Sequence, residues 1–212
     1  MDPSLTQYGW ALHDTSAPVG DPSRCLARGR FQTAAKTLFI HRYKSQRESL
    51  RGLIREYRPD RVGIEFPVFD NLWSEGMYGL FLYSAEALEE EKVDTVFWSP
   101  LQVKAHARET IDRPDKWKMD KADMVEAAKV DAQGGRWNHN EADAYLAGVL
   151  SGRFWDLLEG VITEADLTPV ELNYFTRTHT FVRGKKAGRT VRTGMIYREQ
   201  DRFFPWGSSP QE

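Results

Sequence analysis

The sequence predicts an α/β protein, a mixed central sheet flanked by helices, with a basic β-hairpin extension at its C-terminal end. Short runs rich in β-branched and aromatic residues alternate with longer stretches of helical periodicity, which is the pattern of strands layered between helices. The composition changes after about residue 165: Glu171 to Arg202 carries eight Lys or Arg against three acidic residues, and this predicts the extension.

Each element follows from its local pattern. Tyr8 to Leu12 (YGWAL) is a short aromatic strand, and after turn residues Ser16, Pro18, Gly20 and Pro22 the run Cys25 to Thr33 is a second. Ala34 to Tyr57 is expected as a helix, because Leu50, Leu53, Ile54 and Tyr57 recur at i, i+3, i+4 and i+7. Pro59 stops it, and Arg61 to Phe66 (RVGIEF) is a compact strand. A helix is expected over Leu72 to Lys92, with Glu89, Glu90 and Glu91 solvated at its end. Asp94 to Trp98 (DTVFW) is the next strand, ended by Ser99 and Pro100. Helices are expected over Leu101 to Glu109, Lys121 to Lys129 and Glu141 to Gly152. Finally, Thr178 to Arg183 and Thr190 to Arg198 alternate like strands around a Gly184 to Gly188 turn. The expected division is a body over 1–160 and a basic extension over 161–212.

Composition narrows the function classes. With 28% charged and 41% apolar residues in 212, the chain reads as a soluble globular protein able to bury its own core. The single Cys25 forms no internal disulfide and is too little for a Cys-rich zinc site, which fits a reducing cytoplasm. No apolar run approaches a membrane span, and no signal peptide is visible. A net charge of −2 points to no partner by itself.

The residues that carry chemistry are carboxylates. Phosphodiester hydrolysis with two divalent ions needs several of them converging on one spot, and magnesium prefers their hard oxygens. Asp2, Glu65, Glu141 and Asp143 lie on different expected elements. Glu65 follows Val62-Gly63-Ile64 in a strand that reads as buried, so it must be paired or bind something. Asp143 also fits the third position of a helix capped by Asn140, and Glu141 fits an acidic first turn. Asp2, one residue from the terminus, also fits a disordered end, and spacing alone does not decide among these readings.

The segment Asp2-Pro3-Ser4-Leu5-Thr6-Gln7-Tyr8-Gly9-Trp10-Ala11 resembles the first motif of RuvC-type Holliday junction resolvases of the RNase H-like superfamily. Val62-Gly63-Ile64-Glu65 is similar to their second motif, and Asn140-Glu141-Ala142-Asp143-Ala144-Tyr145-Leu146-Ala147 resembles the third. Three motifs in order cover about residues 2 to 152, and the basic tail resembles extensions of phage members. The resemblance implies an RNase H-like fold and a homodimer that cuts branched DNA, leaving 5′-phosphate ends, in a cytoplasm, the host's if phage-encoded.

It further implies Asp2, Glu65 and Asp143 as ligands of two Mg2+ ions, with Mn2+ a substitute. Relatives carry Asp or His three residues before the last of these, where this chain has Asn140; Glu141 is favoured as the fourth ligand over His139. Ser99-Pro100-Leu101-Gln102-Val103-Lys104 looks like the stretch that sets a lysine at the scissile phosphate, and Lys121 matches a second basic position. Each also fits a solvated surface lysine, and the functional reading is favoured for Lys104. Phe66 and Phe69 are stacking candidates for DNA or core aromatics. Arg183, Lys185, Lys186, Arg189 and Arg192 are expected to neutralise DNA phosphates, reading shape rather than sequence.

One departure is expected to matter. In the family the first Asp ends a buried strand, whereas here only Met1 precedes it, so that strand is absent from this sequence. An upstream start, a truncated chain or a natural variant would each explain that. The alternative function is a non-cleaving branched-DNA binder with the same fold. A nucleotide-hydrolysing relative ranks last because no glycine-rich phosphate loop is visible, and an RNA substrate stays open.

Overall fold

The computed structural model describes residues 1–18, 21–65, 75–176, 178–180, 188, 190–192, 196–199 and 202–204. Strands β1 (Gln7–His13) and β2 (Cys25–Gln32) pair antiparallel, with Tyr8 opposite Phe31 and Trp10 opposite Gly29. Helix α1 (Phe39–Tyr57) leads to β3 (Arg61–Glu65), and α2 (Glu75–Glu90) leads to β4 (Asp94–Trp98). Strands β3 and β4 are parallel, in a register that sets Glu65 opposite Trp98. Then come α3 (Pro100–Thr110), α4 (Lys121–Asp131), α5 (His139–Leu158) and α6 (Pro169–Thr176).

Side-chain alternation sorts the sheet into two faces. Val62, Ile64 and Phe97 join Tyr8, Leu50, Ile54, Leu80 and Leu88 in the core beneath α1 and α2. Val96 and Trp98 face the other way, into the core built by α3, α4, α5 and α6. Gly63 shares that second face, and a Cβ there would lie 1.7 Å from Ser151 Oγ, so a glycine is what lets α5 cross so close to β3. Trp98 Nε1 donates to the same Ser151 hydroxyl at 2.7 Å, which fixes the crossing.

Several expected boundaries move, each for a local reason. Helix α1 starts at Phe39 rather than Ala34. The preceding residues are tied elsewhere, with the Thr33 hydroxyl donating to Leu5 O and Thr37 N–H to Ala34 O. Helix α5 begins at His139, capped by Asn138, whose side chain accepts from the Asn140 N–H; Asn140 is therefore not the cap. It also runs past Gly152 to Leu158, because burial of Phe154 and Trp155 outweighs the weak helical preference of glycine. Nor are all the glutamates at the end of α2 and just beyond it left to solvent: Glu90 pairs with Arg47, and Glu91 with Arg51 and Arg55, across to α1.

The C-terminal segment is joined to the body at two levels. Phe175 of α6 is fully buried against Trp98 and Phe154, with ring centroids 5.8 and 5.6 Å away. Beyond it, β5 (Thr178–Thr180) pairs antiparallel with β6 (Thr190–Arg192), as the hairpin pattern predicts. The expected strand through Arg198 is instead divided. Strand β7 (Ile196–Glu199) leaves the hairpin and pairs antiparallel with β4, and β8 (Arg202–Phe204) pairs with β7.

Met1 and Asp2 fill the place between β1 and β3. Asp2 exchanges both backbone hydrogen bonds with Gly9, at 3.0 and 2.9 Å, the antiparallel pattern. The Met1 ammonium donates to Gly63 O at 2.7 Å, and Glu65 N–H donates to Met1 O at 2.9 Å, the parallel pattern. Two residues thus join the β1–β2 hairpin to the β3–β4–β7–β8 sheet. The strand expected to be absent is present as this pair of residues alone.

Candidate active site

The pairing just described puts Asp2 and Glu65 side by side. Glu65 shares its face of β3 with Gly63, so it looks toward α5, the helix that carries Asp143. The start of α5 is pressed onto β1: a Cβ at Gly9 would lie 2.0 Å from Asn140 O. Asn140 Nδ2 also donates to Gln7 O at 2.7 Å, clipping the helix to the strand. One turn on, Asp143 comes within electrostatic reach of the two strand carboxylates. It lies in the second turn, beyond the cap, so the reading of Asp143 as a capping carboxylate does not hold.

Asp2, Glu65 and Asp143 are recessed but not sealed, and their pKa values show three acids sharing one space. Asp2 is held well above the usual carboxylate range by burial, then by Glu65 and Asp143. Glu65 is raised to about 7 by burial and then by Asp143, against the pull of Lys104 and the Met1 ammonium. Asp143 is raised to about 6 by burial, with Lys104 and Lys121 opposing. Lys104, on α3, and Lys121, the first residue of α4, are both exposed and both act on this group. Like charges in a recessed site stay ionised together only at a cost, which a cation would offset.

The donors suit a hard divalent ion in chemistry: three carboxylates, with Asp143 Oδ1 buried and unpartnered among the described residues. Their placement is looser than a closed cage. Among the described residues, no three His, Cys, Asp or Glu side chains stand close enough together to hold a metal ion.

The other expected ligands each have a neighbour of their own. Asn140 uses its amide on Gln7. The Glu141 carboxylate faces Arg28 on β2, with Nε 3.8 Å from Oε2. His139 Nε2 lies 3.4 Å from Lys121 Nζ, and burial, Lys121 and Arg30 lower its pKa. Phe66, Phe69, Arg183, Lys185, Lys186 and Arg189 lie outside the described residues, and of Arg192 only the backbone, in β6, is described. The Met1 ammonium was not anticipated as a member of the group. Its signal in the sequence is the closeness of Asp2 to the amino terminus, since any fold that buries one buries the other.

No protein-family pattern matches the chain, and no curated protein matches it either. Solved structures do. The RuvC of Thermus thermophilus superimposes with a TM-score of 0.56 at 17% identity, over 75% of this chain and 93% of the other. T. thermophilus RuvC in complex with a Holliday junction substrate gives 0.54 at 15% identity, over 75% and 92%. With its strand order, its α5 crossing and this overlap, the chain has the fold of a RuvC-type resolvase.

Proposed function

We propose that this protein is a structure-specific endodeoxyribonuclease that resolves Holliday junctions or other branched DNA by metal-assisted phosphodiester hydrolysis. The carrying observation is the meeting of Asp2, Glu65 and Asp143, from three separate elements, beside Lys104 and Lys121. The likeness to a RuvC solved with a Holliday junction substrate supports DNA as the partner. In this reading Asp2, Glu65 and Asp143 hold two magnesium ions, with manganese a substitute. The bound metal would supply an activated water and neutralise the phosphate.

The chain's own groups have separate tasks. The backbone pairing of Met1 and Asp2 on both flanks fixes where the Asp2 carboxylate points. Lys104 and Lys121 set two positive charges beside the acids, where a phosphate must pass, and so reduce its repulsion from them. Arg183, Lys185, Lys186, Arg189 and Arg192 belong to this reading as contacts to more distant phosphates, and Phe69 as a stacking residue. The homodimer also belongs here. Leu38, Phe39 and Ile40 are 70, 52 and 42% exposed at the start of α1, an apolar patch suited to a second copy.

The looser-than-caged spacing of the carboxylates favours a second reading, a protein that binds branched DNA without cutting it. A labelled synthetic four-way junction incubated with magnesium separates the two. Paired symmetric nicks that fall by about 100-fold or more in Asp143→Asn are expected for a nuclease. Junction binding with no nicks in the 212-residue chain would sink that reading in favour of the second.

A further inference from the structure

The loop between α3 and α4, residues 111–120, leads into Lys121 and holds an aromatic ring in the open. Trp117 is 47% exposed, the most exposed tryptophan among the described residues. Both ends of the loop are fixed: Ile111 packs against the core at its start, and Met119 is buried in the core near its end. Between them the Trp117 N–H donates to Pro114 O at 2.8 Å, closing a turn. The ring is fixed as well. Its Nε1 donates to Asp123 Oδ2 at 2.9 Å, and the same oxygen accepts the Asp120 N–H at 3.0 Å in the capping box that starts α4. The Arg113 guanidinium lies over the ring, 5.3 Å from its centre. An edge and one face are thus occupied, and much of the ring still stands in water. A side chain already held in this way loses little freedom when a partner covers it.

The charges around the ring say what kind of partner it fits. The acids of this stretch are mostly engaged within the protein. Asp120 and Asp123 cap α4, Glu126 pairs with Arg113 at 3.1 Å, and Asp115 lies 3.8 Å from Arg108. Asp112, at the far end of the loop, is the one acid without such a partner among the described residues. Lys116 and Lys118 flank the ring, are exposed, and have no ion pair among the described residues. The next cation, Lys121, opens α4 and acts on Asp143 and Asp2. The helix start that brings Lys121 to the carboxylates therefore also carries Asp123, the anchor of the indole. A flat apolar ring between two cations fits a nucleic-acid strand, whose bases offer faces to stack and whose phosphates offer charge. Those faces are hidden inside a duplex and open where a strand is unpaired.

We propose that Trp117, with Lys116 and Lys118 beside it, is a stacking platform for an unpaired base of the DNA strand that enters the carboxylate site. The ring takes the face of the base, and the lysines take the phosphates on either side. This rests on the reading of the protein as one that acts on or binds branched DNA. It adds a residue that responds to opened bases rather than to sequence.

The test compares the native 212-residue chain with Trp117→Ala, Trp117→Phe and the double variant Lys116→Gln with Lys118→Gln. Fluorescein-labelled oligo(dT), a blunt duplex and a four-way junction are the probes. Binding is read by anisotropy in EDTA, so that nothing is cut, and thermal melts check that each variant is folded. Trp117→Ala is expected to weaken oligo(dT) binding by about ten-fold, to weaken junction binding in the same direction, and to leave the duplex unchanged. Trp117→Phe keeps a ring and most of the affinity. The double lysine variant should make the log–log salt dependence on oligo(dT) shallower by about 1.4, two contacts at about 0.7 each. With unlabelled oligo(dT), the native chain should lose more tryptophan emission than Trp117→Phe, a difference that reports this one indole among seven. Equal quenching in those two proteins overturns the platform without recourse to Trp117→Ala. Native affinity of Trp117→Ala for oligo(dT) and the junction overturns it too, and leaves the nuclease reading standing. An equal loss on the duplex overturns stacking on unpaired bases. A native chain that binds none of the three DNAs removes the proposed function, and this inference with it.

Discussion

Asn140 lies beside the carboxylates and His13 at the other end of β1, and the surrounding structure holds each in place. Asn140 is 7% exposed and donates its amide to Gln7 O, so an acid at that position would aim a carboxylate at a carbonyl. Asn140→Asp is accordingly expected to cost about 1–3 kcal/mol of stability by urea denaturation. The sequence pattern suggested a ligand there because it matched the helix to a motif; the capping role of Asn138, which shifts the helix start, is decided by backbone geometry that no spacing rule carries. His13 is half-buried, its ring 4.9 Å from that of Tyr145, and burial lowers its pKa from 6.5 to about 3. Between those values the unfolded chain takes up a proton and the folded chain does not. His13 therefore contributes stability above pH 6.5 that is lost as the pH falls toward 3, by about 1.4 kcal/mol per pH unit at most. Urea midpoints of the native chain and His13→Gln at pH 6.5 and pH 4.5 check this. The native chain should lose more than the variant, and equal losses would remove His13 from the account.

At the scale of elements, the site depends on how closely α5 approaches the strands. Gly9 permits the contact with Asn140, and Gly63 the contact with Ser151. Gly9→Ala puts a methyl group into a backbone carbonyl, so either β1 or α5 must shift. A loss of about 1–3 kcal/mol is expected, read as a lower melting temperature, with Asp2 displaced along with its hydrogen-bonded partner. A melting temperature equal to that of the native chain would show that the contact relaxes freely. The strands and most helices were legible because their apolar periods are strong: Val62, Ile64 and Phe97 alternate, and α1 repeats Leu50 and Ile54. Helix ends were not, since Gly152 reads as a stop in sequence and is carried through by the burial of Phe154. The partner of β7 was not legible either. A strand of only four residues says nothing in sequence about which edge it joins.

For the whole molecule, the chain after residue 160 contributes to the core of the body. Phe175 closes the aromatic cluster around Trp98 and Phe154, and Arg153 of α5 grips Glu171 of α6 through two hydrogen bonds of 3.0 Å. Cutting at residue 160 removes both and leaves Arg153 without the Glu171 carboxylate that pairs it. The fragment 1–160 is expected to lose about 3–5 kcal/mol or to be unfolded at room temperature, whereas a fragment ending at 176 keeps the cluster. Circular dichroism melts of the two fragments check the contrast, and equal melting would place the core elsewhere. A composition change marked where basic residues begin, which is a surface property. It carried no information about Phe175, whose burial depends on packing across the fold. The same holds for the carboxylates: Glu65 stood out in its strand, and Asp2 gained meaning only from partners far away in sequence.

That distance has a consequence in time. Asp143 leaves the ribosome 141 positions after Asp2, an interval of about ten seconds at ordinary rates of synthesis. Until β3 emerges, nothing accepts the hydrogen bond that Met1 donates to Gly63 or holds Asp2 beside Glu65. The group of acids is therefore assembled late, only after all three of the elements that carry it have been made.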